Sequence, residues 1–84
     1  MEPAANTTID ELVEVLNEIR AGQDFTGSKD FFEQGLLDSL DLTALVAAVE
    51  SKYHIFLDID EINQDNFRNL DRIQALLNRK AAKP

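Results

Sequence analysis

The run Gly35-Leu36-Leu37-Asp38-Ser39-Leu40-Asp41-Leu42, continued through Val49 to Tyr53, decides the fold of this chain. Its apolar residues Leu42, Leu45, Val46, Val49 and Tyr53 recur at i, i+3, i+4, i+7 and i+11, the repeat of one buried helical face. Asp38 and Ser39 are both good N-capping residues, since a short polar side chain there accepts from the free amides of the first turn. A helix therefore starts at that pair, with either residue as its cap. A second surface runs along the same helix: Leu40, Thr43, Ala44 and Ala47 fall at i, i+3, i+4 and i+7. It adjoins Ser39 and turns away from the core stripe.

Upstream, Ile9, Leu12, Val13, Leu16 and Ile19 make one apolar stripe, which predicts a helix over residues 9–20. Thr8-x-x-Glu11 supplies a capping box at its start, and Ala21-Gly22 ends it. The loop that follows, to Asp38, holds Phe25, Phe31, Phe32, Leu36 and Leu37. A loop so apolar has to pack onto the core, and its length marks it as functional or tied down by its own side chains. Downstream, Ile55 and Leu57 alternate with Phe56 over too few residues for a sheet, and Asp58 or Asp60 caps a short helix carrying Ile59 and Ile62. Asn69 caps the last helix, whose face is Leu70, Ile73, Leu76 and Leu77. The expected fold is all-α, a small four-helix bundle of three amphipathic helices and one short one. It forms a single domain over residues 1–84, with a core at 9–78 and a basic tail at 79–84.

Composition narrows the function. With 84 residues the chain buries only about 60–65% of its unfolded surface, so a large internal active-site cavity is not expected. The absence of cysteine removes disulfides, a thiolate nucleophile and Cys-based zinc sites at once. The longest uncharged run, Leu42 to Val49, is far shorter than the roughly 20 apolar residues of a membrane span. Met1 to Thr8 lacks the basic start and apolar core of a signal peptide. A soluble cytoplasmic protein is expected, in which the sequon Asn6-Thr7-Thr8 is chance.

Charge is unevenly spread. All 16 acids lie in residues 1–71, offset there only by Arg20, Lys29, Lys52 and Arg68, whereas residues 72–84 carry Arg72, Arg79, Lys80 and Lys83 and no acid. The acidic body repels phosphate backbones, which disfavours nucleic-acid binding. The basic end suits the negative pole of a terminal helix.

Little in the chain can catalyse. His54, the one histidine, lies 15 residues beyond Ser39 at the far end of the helix, about 20 Å away at about 1.5 Å per residue. That separation excludes a triad. His54 instead closes the helix, by its charge or by tolerating a left-handed conformation. Asp58-x-Asp60-x-Ile62 opens like a calcium loop, but Ile62 and Asn63 stand where an oxygen ligand and a glycine are required. What remains is Ser39, a hydroxyl at a helix start, where free amides and the dipole stabilise an attached phosphodiester.

At these residues the chain resembles the acyl carrier protein family. The resemblance rests on Asp38-Ser39-Leu40, the apolar helix running to Val49-Glu50, the exit Tyr53-His54-Ile55-Phe56-Leu57 and the amphipathic last helix after Phe67, in order over residues 9–78. It implies a four-helix fold and 4′-phosphopantetheine on Ser39 Oγ, added by a phosphopantetheinyl transferase from coenzyme A. It also implies a monomeric carrier that catalyses nothing itself, holding an acyl or aminoacyl group as a thioester for a loading ligase and downstream acyl-transferring enzymes. Partners would meet Leu40, Thr43, Ala44 and Ala47, drawn by Asp38, Asp41 and Glu50.

Departures from the family pattern bear on the cargo. Fatty-acid carriers crowd the second helix with acids, whereas here Thr43, Ala44, Ala47 and Ala48 leave only Asp41 and Glu50 within it. Peptidyl carriers have Gly-Gly where this chain has Leu36-Leu37. Gly35-Leu36-Leu37-Asp38-Ser39 looks more like carriers of amino acids, D-alanyl carriers among them, or carriers of specialised-metabolite pathways. Asp58 stands where a proline is common, and Phe56 and Ile59 where polar residues are usual. Those two are either partner contacts or core. Met1 with a short polar lead, and an end soon after the last helix, suggest a free-standing carrier. The competing expectation is an unmodified acidic interaction domain in which Ser39 is only a helix cap.

Overall fold

A computed structural model describes residues 8–82. Its order is α1 (Ile9–Ile19), α2 (Ser39–Tyr53), a single 3₁₀ turn (Ile59–Glu61), α3 (Gln64–Phe67) and α4 (Leu70–Ala82), with no strand among the described residues. The sequon at Asn6 and the end of the basic tail at Lys83 lie outside them. Residues 79–82 belong to α4 rather than to a tail. No helix among the described residues is long and apolar enough to cross a membrane.

Each main helix starts on a side chain that satisfies an otherwise orphaned amide. Thr8 Oγ1 accepts from the Glu11 amide at 3.2 Å, Asp38 Oδ1 from the Asp41 amide at 3.0 Å and Asn69 Oδ1 from the Arg72 amide at 2.8 Å. The Glu11 carboxylate does not complete the expected capping box. It accepts instead from Tyr53 Oη at 3.1 Å, tying the start of α1 to the end of α2. α2 ends at His54, whose φ of 56° and ψ of 46° are left-handed and whose amide donates to Glu50 O.

α1 packs against α2 and α4, and α3 packs against α4. The core buries Leu12, Val15 and Leu16 from α1, Leu45, Val46, Val49 and Tyr53 from α2, and Leu70, Ile73, Leu76 and Leu77 from α4. Val15 was not part of the stripe expected for α1. It is buried because α1 is covered from two sides, which widens its apolar band while Ile9, Val13 and Ile19 stay only partly buried.

The short turn lies where the aliphatics placed it, but it is 3₁₀, and a second short helix follows it. A single 3₁₀ turn begins at Ile59, with Asp58 as its N-cap, and closes at Ile62, and α3 begins five residues after Ile59, where Asn63 Oδ1 accepts from the Asn66 amide at 2.8 Å. α3 contributes Phe67 to the core, and four residues are too few to show a helical period. Lys80, on the last turns of α4, holds the 3₁₀ turn through Glu61 Oε1 at 2.9 Å.

The long α1–α2 loop packs as its composition requires. Phe25 and Phe31 are fully buried edge to face, with ring centroids 5.1 Å apart at 82°. The Phe31 amide donates to Arg68 O at 2.6 Å, and Asn69 Nδ2 donates to Lys29 O at 3.0 Å. Asp30 Oδ1 accepts from the amides of Phe32 and Glu33 at 3.0 Å each. Gly35, at φ 77°, reverses the chain, which a residue with a Cβ does at a steric cost. The amides of Leu36 and Leu37 then return to Phe31 O at 2.8 and 3.1 Å. Leu37 is buried, and this apolar peg sets where α2 starts.

Candidate functional site

With Leu37 pegged in the core, Asp38 becomes the N-cap of α2 and Ser39 its first helical residue. The pair that sequence alone could not separate is thereby resolved. Asp38 accepts from the Asp41 amide while Asp41 Oδ2 accepts from the Asp38 amide, both at 3.0 Å, a reciprocal capping box. The Asp41 amide, with the Arg20 guanidinium beside it, holds the Asp38 carboxyl below the usual carboxylate range.

Ser39 is exposed, and among the described residues no group bonds to its hydroxyl; its carbonyl accepts from Thr43 Oγ1 at 3.3 Å. Asp38 satisfies the helix, so the Ser39 hydroxyl has no structural task.

Around it, Leu40 is 81% exposed and Thr43, Ala44 and Ala47 are exposed on the same helix. Phe56 and Ile59 are each 85% exposed, so neither is core. The acids differ among themselves. Asp38 is the open one, Asp41 has a side chain only 15% exposed and paired to Arg20 Nη2 at 3.1 Å, and Glu50 turns inward to accept from the Leu57 amide at 2.9 Å. Glu50, expected to attract partners, instead organises the chain after α2. His54 lies at the opposite end of α2 from Ser39.

An open groove of about 440 Å³ borders Ser39, lined by Asp30, Phe32, Glu33, Leu37, Asp38 and Gln64. Sequence reading missed this groove, and also Arg20, whose guanidinium reaches across 18 residues to Asp38 at 3.4 Å. Neither leaves a local signal, because both depend on how the loop folds back.

The family described as the phosphopantetheine attachment site matches residues 6–77. The chain belongs to that family. It is 38% identical over 68 residues to the D-alanyl carrier protein of Leuconostoc citreum (strain KM20), covering 79% of this chain and 86% of that protein. It is 37% identical, over the same shares, to the D-alanyl carrier protein of Leuconostoc mesenteroides subsp. mesenteroides. No solved structure gives a significant match.

The protein is thus a carrier with covalently attached 4′-phosphopantetheine and is not itself an enzyme. The residues fit such a group. The exposed Ser39 hydroxyl at the first position of α2 would leave an attached phosphodiester facing the amide end of the helix. Bound, the group supplies the thiol this cysteine-free chain lacks, on which cargo is held as a thioester. The fold sets Ser39 at the first position of α2, beside an open groove and the exposed side chains of Leu40, Thr43, Ala44 and Ala47.

Proposed function

We propose that the arm is carried on Ser39 Oγ and that the cargo is aminoacyl, a D-alanyl group being favoured by the likeness to the two Leuconostoc carriers. The observation that carries the assignment is the division of labour at the start of α2, where Asp38 caps and the Ser39 hydroxyl is unbonded and exposed. A serine kept only as a cap would accept from a backbone amide two or three residues on. The interaction-domain reading loses its support with that geometry, and the family match stands against it.

In this reading a phosphopantetheinyl transferase, a loading ligase and acyl-transferring enzymes meet Leu40, Thr43, Ala44 and Ala47. Asp38 and Asp41 form the charged edge of that surface, and Phe56 with Ile59 extends it. Exposed apolar side chains of this size on a small domain are suited to transient docking. The carrier acts as a monomer in the cytoplasm, where coenzyme A and ATP-dependent ligases work.

Intact-protein mass spectrometry tests the assignment. Incubation with coenzyme A and a broad-specificity phosphopantetheinyl transferase adds one phosphopantetheine to the wild type and none to Ser39→Ala. Addition to Ser39→Ala, or none to the wild type where a known carrier is modified, refutes it. Incubation of the modified protein with a D-alanine ligase and ATP then adds one alanyl mass; loading by another amino acid in preference overturns the cargo.

A further inference from the structure

Arg20 is the one cation at the start of α2 that any described contact brings there, and the carrier function leaves it unused. It is the C-cap residue of α1. A single nitrogen, Nη2, reaches both Asp38 Oδ2 at 3.4 Å and Asp41 Oδ2 at 3.1 Å. The contact to Asp38 is long and one-pronged, and both side chains are open to water, 37% exposed for Arg20 and 58% for Asp38. Exposed pairs of this kind are weak and exchange readily.

Two roles are open to such a residue, and the contacts at the start of α2 decide between them. If Arg20 positioned Ser39, its removal would loosen the start of α2. That start, however, is held without it, by two amide–carboxylate bonds of 3.0 Å within the capping box and by the buried Leu37 one residue before. Asp38 Oδ1 is committed to the Asp41 amide. Among the described residues Arg20 is the one cation in contact with Oδ2, on a carboxyl that also takes the Leu40 amide and that adjoins in sequence the hydroxyl an enzyme must reach.

We propose that Arg20 is a built-in competitor for a partner's basic side chain: it occupies Asp38 Oδ2 beside Ser39 and is displaced when an enzyme docks there. The inference rests on the assignment of the arm to Ser39 and adds the chemistry of the partner, a Lys or Arg approaching Asp38. Competition by a charge already in place lowers affinity without altering the helix. It keeps each encounter brief, which suits a carrier that passes between enzymes.

The test uses the unmodified full chain, coenzyme A and a phosphopantetheinyl transferase, with initial rates measured against carrier concentration at several salt concentrations. Arg20→Gln is compared with the wild type, with Arg20→Lys, and with Arg79→Gln, which removes one positive charge from an exposed site on α4. Circular dichroism melting checks folding, and stopped-flow association without coenzyme A gives a readout independent of turnover.

Arg20→Gln is expected to lower KM about two- to fivefold at low salt, the size of one exposed ionic contact, with kcat unchanged and association faster. Arg20→Lys stays near the wild type and Arg79→Gln shifts less. The gap closes by about 0.5 M salt, where the screening length falls to about 4 Å. A raised KM or a fall in kcat for Arg20→Gln identifies a positioning residue and overturns the proposal. So does equality with Arg79→Gln, which would leave only net charge. Failure of the wild type to take the arm refutes the Ser39 assignment itself, and the inference falls with it.

Discussion

Replacing Ser39 by alanine separates the two roles a serine at a helix start can have. Were Ser39 the cap, alanine would cost about 0.5–2 kcal/mol, and for a domain of this size that is a fall in Tm of roughly 2–16 °C. The structure gives the cap to Asp38 and leaves the Ser39 hydroxyl without a bonding partner among the described residues. The only terms left are the propensity of the first helical position, where alanine is the better residue, and a change in exposed surface. Tm is then expected to stay level or rise, by no more than about 4 °C. Thermal melting of the unmodified proteins by circular dichroism measures this beside Asp38→Ala, which falls, and Asp38→Asn, which keeps the capping oxygen and recovers most of the loss. Mass spectrometry of the same samples shows Ser39→Ala unable to take the arm. A drop of more than about 4 °C for Ser39→Ala, or one equal to that of Asp38→Ala, refutes the division of labour between the two residues.

Phe31→Ala removes a fully buried ring packed edge to face against Phe25 and should cost about 3–5 kcal/mol out of roughly 4–13 kcal/mol for a chain of this length; urea unfolding followed by circular dichroism checks it, and a loss below about 1.5 kcal/mol would place the ring outside the core. His54→Val puts a β-branched residue at φ 56° and should destabilise by about 1–2 kcal/mol, whereas His54→Gly relieves the left-handed cap and is neutral or stabilising; the order Gly, His, Val in urea midpoint is the readout. Asp38, held low chiefly by the Asp41 amide, and Asp24, held low chiefly by the Thr26 hydroxyl, both have folded pKa values below those of the unfolded chain. Their contribution is therefore present above about pH 4 and lost as pH falls through the folded values; urea midpoints between pH 6 and pH 2.5 should fall below about pH 4, less steeply in Asp38→Asn with Asp24→Asn.

Most of the helical frame was legible because periodicity and capping are local. Leu45, Val46, Val49 and Tyr53 share one side of α2 by spacing alone, and Asn69 caps α4 as its position before an apolar run requires. The short turn at Ile59 was legible, but the second short helix, α3, was not, since Ile59 and Ile62 look like a core pair while the residue that buries there is Phe67. Phe56 and Ile59 show the limit of hydropathy itself. An apolar side chain in sequence is either core or contact, and only their exposure distinguishes the two. Glu50 failed in the opposite sense, an acid that looked like surface charge and serves instead as the acceptor for the Leu57 amide.

By itself the sequence determined the helix class, the approximate helix starts, and the presence of one serine at a helix start in an acidic, cysteine-free chain, because each follows from residues within a turn or two of one another. Only the tertiary structure decided that Asp38 rather than Ser39 caps α2. That outcome depends on Phe31 and Leu37 entering the core and fixing where the helix begins. The same folding of the loop brings Arg20 to Asp38 across 18 residues. Side-chain packing between distant segments sets those contacts, and no local pattern encodes them.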